Sequence, residues 1–282
     1  MQMTFSQAVQ SLLDASKDNF SVQTYRTYHF VLTKFDSFCP GIDCHSVTEE
    51  IILQFKEYMR NLGNCDNTIK KTLACLKILV NKLLATDLIC NNPFSRIRIG
   101  NIQSNRKYLT LEELKQLYNA FINYHKKLSR PEFDAMQAFL FSCYTGLRYS
   151  DLKSLLVEEI QDGAIRKRMH KTGDTVYVPL VSQVEKILSL VPRNNDRKVL
   201  RVTENTYYNR HLRNAATKLG FLKHIHCHIG RHTFATTCLT IGIPLEVVSK
   251  LLGHRSIQTT MIYAKYVDKV LDAEMHKFKV IE

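Results

Sequence analysis

LVEEIQDGAIRKRMHKTGDTVYVPL, residues 156–180, is the stretch where the periodicity of this chain changes. Elsewhere apolar residues recur every three or four positions, the spacing of amphipathic helices. Here they shorten to strand-like runs, broken by Asp162-Gly163 and Thr172-Gly173-Asp174, residues that favour tight turns. The segment predicts three short antiparallel strands in an otherwise helical protein. Toward the C-terminus, helical patterns resume at 182 and run to the end. Toward the N-terminus, Pro131 opens a helix that stops at Gly146, and Thr110-Leu-Glu-Glu113 is a capping box for another.

Residues 4–87 read as four amphipathic helices, roughly 5–15, 21–38, 48–61 and 67–86. In the second, Tyr25, Tyr28, Val31, Leu32, Phe35 and Phe38 form an apolar seam, and Ser21 is placed to cap it. Asn, Pro, Gly and Ser then break the pattern around Arg96, Arg98, Arg106 and Lys107. The expected organisation is a helical domain over 1–95, a basic linker over 96–107 and a second domain over 108–282.

The 282 residues carry a net charge of +13, unevenly spread. Residues 1–105 hold eleven Lys/Arg against nine Asp/Glu, whereas 106–282 hold twenty-eight against seventeen. Such a surplus favours a polyanionic partner through counterion release. No apolar run approaches the ~20 residues that span a bilayer, and the first twenty residues lack the charge and apolar core of a signal peptide. The eight cysteines fall mostly in helical apolar patterns, which suits reduced, buried thiols in the cytoplasm.

Three motifs carry chemistry: TGLRYSDL (145–152), HIGRHTFAT (228–236) and LLGHRSIQTTMIYAKY (251–266). Arg148 follows a glycine helix end, so its side chain can project toward a ligand. His228 and Arg231 share a helix face, and Lys171 sits at the turn between the second and third strands. Each alone is weak, since surface arginines, HxxR pairs and hairpin lysines are common. Together they supply what cleavage of a phosphodiester by a side chain requires. Planar guanidinium forks neutralise charge on the non-bridging oxygens, a phenol attacks, and an ammonium protonates the leaving oxygen.

The joint pattern Arg148, Lys171, His228, Arg231, Gly253-His254 and Tyr263 resembles the tyrosine recombinase (integrase) family, strongly over 106–275. That resemblance implies a mainly α protein with a small three-stranded antiparallel sheet. It also implies an N-terminal four-helix, SAM-like core-binding domain and a mixed α/β catalytic domain. Tyr263 would be the nucleophile that forms a 3′-phosphotyrosine, and Arg148 and Arg231 would clamp the phosphate. Lys171 would be the general acid, His228 would assist proton transfer with the tyrosine or hold the phosphate, His254 would donate a further hydrogen bond, and Asp151 would brace the pocket. No cofactor or ATP is implied. One departure stands out: Gly230 replaces the leucine usual before the second arginine.

Two rival readings sit beside this one. Tyr266 is a second phenol on nearly the same helix face, but the Thr-Thr-x-x-Tyr-Ala spacing selects Tyr263. His224, His226, Cys227 and His228 suggest a zinc site, against which no second ligand cluster of suitable spacing appears, so no metal is expected.

The implied partner is double-stranded DNA at specific recombination sites, held in a tetramer of this chain, with accessory DNA-bending proteins possible and no membrane. Candidate DNA contacts are Arg26, Lys70 and Lys71 in the first domain and Arg166, Lys167, Arg168, Arg210 and Arg213 in the second. The amphipathic segment 267–282 would pass to a neighbouring protomer. The function expected is integration or excision of a mobile element in the cytoplasm, at the nucleoid. Alternatives are a Xer-like resolvase of replicon dimers and, in a different class, a catalytically silent DNA-binding accessory protein.

Overall fold

The computed structural model describes residues 3–100, 107–190 and 197–264 and divides the chain into two compact units, Met1–Asn105 and Arg106–Glu282. The first holds α1 (Phe5–Ala15), α2 (Val22–Phe38), α3 (Glu49–Asn61) and α4 (Asp66–Leu84). Side-chain caps begin three of them. Thr4 and Gln7 close a reciprocal box on α1, Ser21 accepts from the Thr24 amide at 3.1 Å, and Thr48 accepts from the Ile51 amide. Their apolar faces meet around edge-to-face contacts of Phe35 with Phe5 and Phe55, each with ring centroids 5.1 Å apart. Arg26 and Lys71 are exposed, and Lys70 is half-buried.

The second unit contains α5 (Leu111–Tyr124), α6 (Arg130–Thr145), α7 (Tyr149–Lys153), β1 (Ile160–Gln161), β2 (Ala164–Arg168) and β3 (Thr175–Pro179). It continues with α8 (Ser182–Ser189), α9 (Asn205–Lys218), α10 (Cys227–Thr240), α11 (Leu245–Leu252) and α12 (Gln258–Ala264). Helix α6 is the centre, buried along most of its length and packed by α8, α9 and α10. The sheet is antiparallel in the order β1-β2-β3. Asp162 and Gly163 have φ of 51° and 69°, the conformation of a two-residue hairpin turn that suits Asp-Gly.

The first strand is shorter than the sequence suggests. Val157–Glu159 forms a 3₁₀ turn, because the Glu159 carboxylate folds back to accept the Leu156 amide at 2.9 Å. Lys167 is corrected from the DNA-contact group. It shares the inward face of β2 with Ile165, is 4% exposed, and pairs with Glu159 at 2.8 Å. Its neighbours Arg166 and Arg168 point outward, and Arg166 lies over the cross-strand Tyr177 ring at 5.1 Å. Arg210 and Arg213 on α9 are also exposed. The segment 267–282, Tyr266 and Arg106 lie outside the described residues.

Candidate active site

The site is built where the C-terminal ends of α6 and α11 meet α10. Helix α6 ends at Gly146 with φ 70°, a left-handed cap that reverses the chain and sends Leu147 and Arg148 toward the pocket. A Cβ at Gly146 would lie 2.6 Å from Phe234 and 2.9 Å from Leu252, so only glycine lets α10 and α11 close on this corner. Ser142 donates to the Leu147 carbonyl at 2.9 Å and fixes the corner before Arg148. Helix α11 ends the same way at Gly253, φ 60°, which presents His254.

Arg231 is 6% exposed and stitches these ends together. Its Nη1 donates to the Gly146 carbonyl at 2.7 Å, and Nη2 donates to the Leu252 carbonyl at 2.7 Å and to His254 Nε2 at 2.8 Å. Two of these acceptors are carbonyls at helix C-termini, where the helix dipole favours a cation. Nε2 of His254 must therefore carry a lone pair, which puts the ring proton on Nδ1, 2.7 Å from Thr260 Oγ1. The resemblance implied that His254 donates a further hydrogen bond; in this structure its Nε2 accepts from Arg231.

Arg148 faces the same pocket. Its Nη1 is buried and makes no hydrogen bond, and neither does Oδ2 of the fully buried Asp151. Burial lowers the pKa of both arginines below the ordinary guanidinium range, and Arg148 lowers that of Arg231 further by repulsion. Asp151 and Tyr263 oppose that fall at both arginines. Two neighbouring cations, one buried and one half-buried with a buried spare donor, make a pocket short of an anion.

Tyr263 on α12 is 2% exposed and packs among Phe234, Ala235, Val248 and Leu252. Its hydroxyl lies 2.7 Å from His232 Nδ1. His232 follows Arg231 and sits four residues after His228, hence on one face of α10. The sequence alone assigned it no role, although an i, i+4 histidine pair flanking the arginine was a usable signal.

Lys171 lies exposed on the β2–β3 turn. That turn is held on both sides: Asp151 Oδ1 accepts the His170 amide at 2.8 Å, and Arg255 pairs with Asp174 at 3.1 Å and donates to the Thr172 carbonyl. His228 is exposed in the first turn of α10, edge-to-face with His226 at 6.2 Å between ring centroids. The structure thus gathers Arg148, Arg231, His254, Tyr263 and Asp151, and places Lys171 on a turn tethered to that group. Cys227 is turned toward Asn205 and Asn209, and among the described residues no group of three or more His, Cys, Asp or Glu is disposed to hold a metal.

Close helix packing accounts for Gly230. A Cβ there would meet Ser142 at 2.9 Å and the Phe139 carbonyl at 3.2 Å, so α10 lies closer to α6 than a leucine would permit.

Comparison with known proteins agrees with this architecture. Residues 4–99 match the phage integrase SAM-like domain, and residues 107–269 match the Phage integrase family. Tyrosine recombinase XerC of Bacillus pumilus is 30% identical over 272 residues, covering 87% of this chain and 86% of that protein. A tyrosine recombinase of Thermosipho africanus is 29% identical over 72% of this chain and 73% of its own length. Among solved structures, a lambda integrase dimer bound to a COC′ core site superposes with a TM-score of 0.74 at 16% identity, covering 93% of this chain and 77% of that one. The Tn1549 transposon integrase in complex with a circular intermediate DNA gives 0.71 at 18% identity, covering 93% and 95%. The chain belongs to the phage integrase family and is a tyrosine recombinase.

Proposed function

We propose that this chain cuts and rejoins duplex DNA at specific sites through a 3′-phosphotyrosine at Tyr263. The observation that carries the reading is the pair of guanidiniums, Arg231 buried and Arg148 half-buried, beside a buried phenol, with the buried Arg148 Nη1 lacking any partner. A phosphodiester entering the pocket takes that donor and relieves the repulsion between the arginines. Its two non-bridging oxygens suit the planar forks, and the charge they gain in the transition state is met by dipoles already in place. Attack by the Tyr263 oxygen forms the P–O(Tyr) bond and breaks the P–O5′ bond, and Lys171 protonates the departing 5′ oxygen. Phosphate ester is exchanged for phosphate ester, so a partner 5′ hydroxyl reverses the step without external energy.

The setting we read is integration or excision of a mobile element, in keeping with the fold shared with the lambda and Tn1549 integrases. A second reading, resolution of replicon dimers, is favoured by the near-full-length match to XerC. The working assembly in either case is a tetramer on DNA, as crystallised for lambda integrase on a Holliday junction. The test is a nicked duplex carrying the core sequence that the protein selects from random DNA. A covalent adduct with the wild-type chain and none with Tyr263→Phe supports the reading; an adduct with Tyr263→Phe overturns it. Matches to the selected core at the ends of an integrated element, or at one chromosomal locus, separate the two settings.

A further inference from the structure

We propose that His232 is the base that takes the Tyr263 proton as the nucleophile attacks. The inference rests on Tyr263 being the nucleophile and adds a catalytic residue to that reaction. The hydroxyl lies 2.7 Å from His232 Nδ1, inside the distance a direct proton transfer needs, and the rings pack with centroids 5.6 Å apart. His232 rides on α10 next to Arg231, so the helix that fixes the phosphate clamp also fixes the base. Helices α10 and α12 pack directly on each other, so the contact between phenol and imidazole belongs to the core and not to a loop. His228 is exposed in the first turn of α10, one turn earlier than His232.

The two partners differ in exposure in a way that suits the role. Tyr263 is 2% exposed, where a phenolate formed without an acceptor is costly. His232 is only half-buried, so an imidazolium there keeps contact with water. In the step, the hydroxyl proton moves to Nδ1, the phenolate oxygen bonds to phosphorus, and the P–O5′ bond breaks with the proton from Lys171 going to O5′. On rejoining, His232 returns its proton to the departing phenol and Lys171 accepts one from the attacking 5′ hydroxyl, so the balance is restored.

The burial of Tyr263 also means that its hydroxyl must be uncovered before phosphorus can reach it. While it is covered, the His232 contact keeps the hydroxyl oriented.

The test compares single-turnover adduct formation on the selected core, as an ordinary phosphodiester and with a bridging 5′ sulfur. Thiolate leaves without protonation, so sulfur bypasses a missing acid but not a missing base. His232→Ala and His232→Asn are each expected to slow adduct formation by about 100-fold on both substrates, the lower range for general-base loss. Lys171→Ala is expected to be slow on oxygen and restored on sulfur. His232→Asn keeps a hydrogen-bonding group beside the phenol but cannot take a proton, so it decides the matter if His232→Ala fails to bind DNA at wild-type affinity. A wild-type rate in His232→Asn, or recovery of either variant on sulfur, overturns the proposal. An adduct with Tyr263→Phe would instead overturn the parent reading.

Discussion

The guanidinium of Arg231 donates to Nε2 of His254 at 2.8 Å, so this histidine supplies an acceptor to the buried charge. His254→Ala removes one acceptor from a buried charge and loosens the Arg231 fork, with an expected loss of about 10- to 100-fold in adduct formation. His254→Gln, which offers an amide oxygen, should retain more activity. Equal losses in the two variants, with DNA affinity unchanged, would count against the acceptor role.

Lys167 is expected to behave as a core residue. Replacing it with alanine strands the Glu159 carboxylate, which is only 22% exposed, and should cost about 2–4 kcal/mol in unfolding free energy. The salt dependence of DNA binding should not change. Arg166→Ala or Arg168→Ala should do the opposite, sparing stability and reducing the salt slope by about one for each phosphate no longer neutralised. Chemical denaturation and binding titrations at several salt concentrations read both quantities.

Gly230→Leu should restore the residue usual in the family and yet destabilise this chain. The added side chain meets Ser142 and the Phe139 carbonyl, and overpacking of this kind costs about 1–3 kcal/mol. Pairing Gly230→Ala with Ser142→Gly should recover part of the loss seen in Gly230→Ala alone. A thermal melt that shows simple additivity would place the strain elsewhere.

Arg255 grips both flanks of the turn that follows Lys171, at Thr172 and Asp174, while being largely exposed itself. Its removal should leave folding intact and slow cleavage of an ordinary phosphodiester by about 10-fold through a wandering acid. A bridging 5′ sulfur should erase the defect. Persistence of the defect on sulfur would show that Arg255 acts on something other than the Lys171 turn.

How much of this was legible in the sequence depends on the kind of information. Helix ends marked by Ser21, Thr110 and Gly146 are local, because a cap satisfies its own turn, and they read off directly. The inward orientation of Lys167 was also local: with Ile165 and Met169 it shares one parity of the strand, and its charge masked the pattern. The Arg231 acceptors at Gly146 and Leu252 were not legible, since they join carbonyls 85 and 21 residues away through tertiary packing. His232 falls between these cases. Its spacing on α10 is in the sequence, but its partner is set by how α12 docks.

The most direct measurement maps the covalent bond itself. Adduct trapped on a nicked core duplex is digested with protease and nuclease, and the peptide carrying nucleotide is sequenced by mass spectrometry. The account predicts the modification on Tyr263, linked to a 3′ phosphate. A nucleotide attached to Tyr266, or to any side chain other than Tyr263, would contradict it.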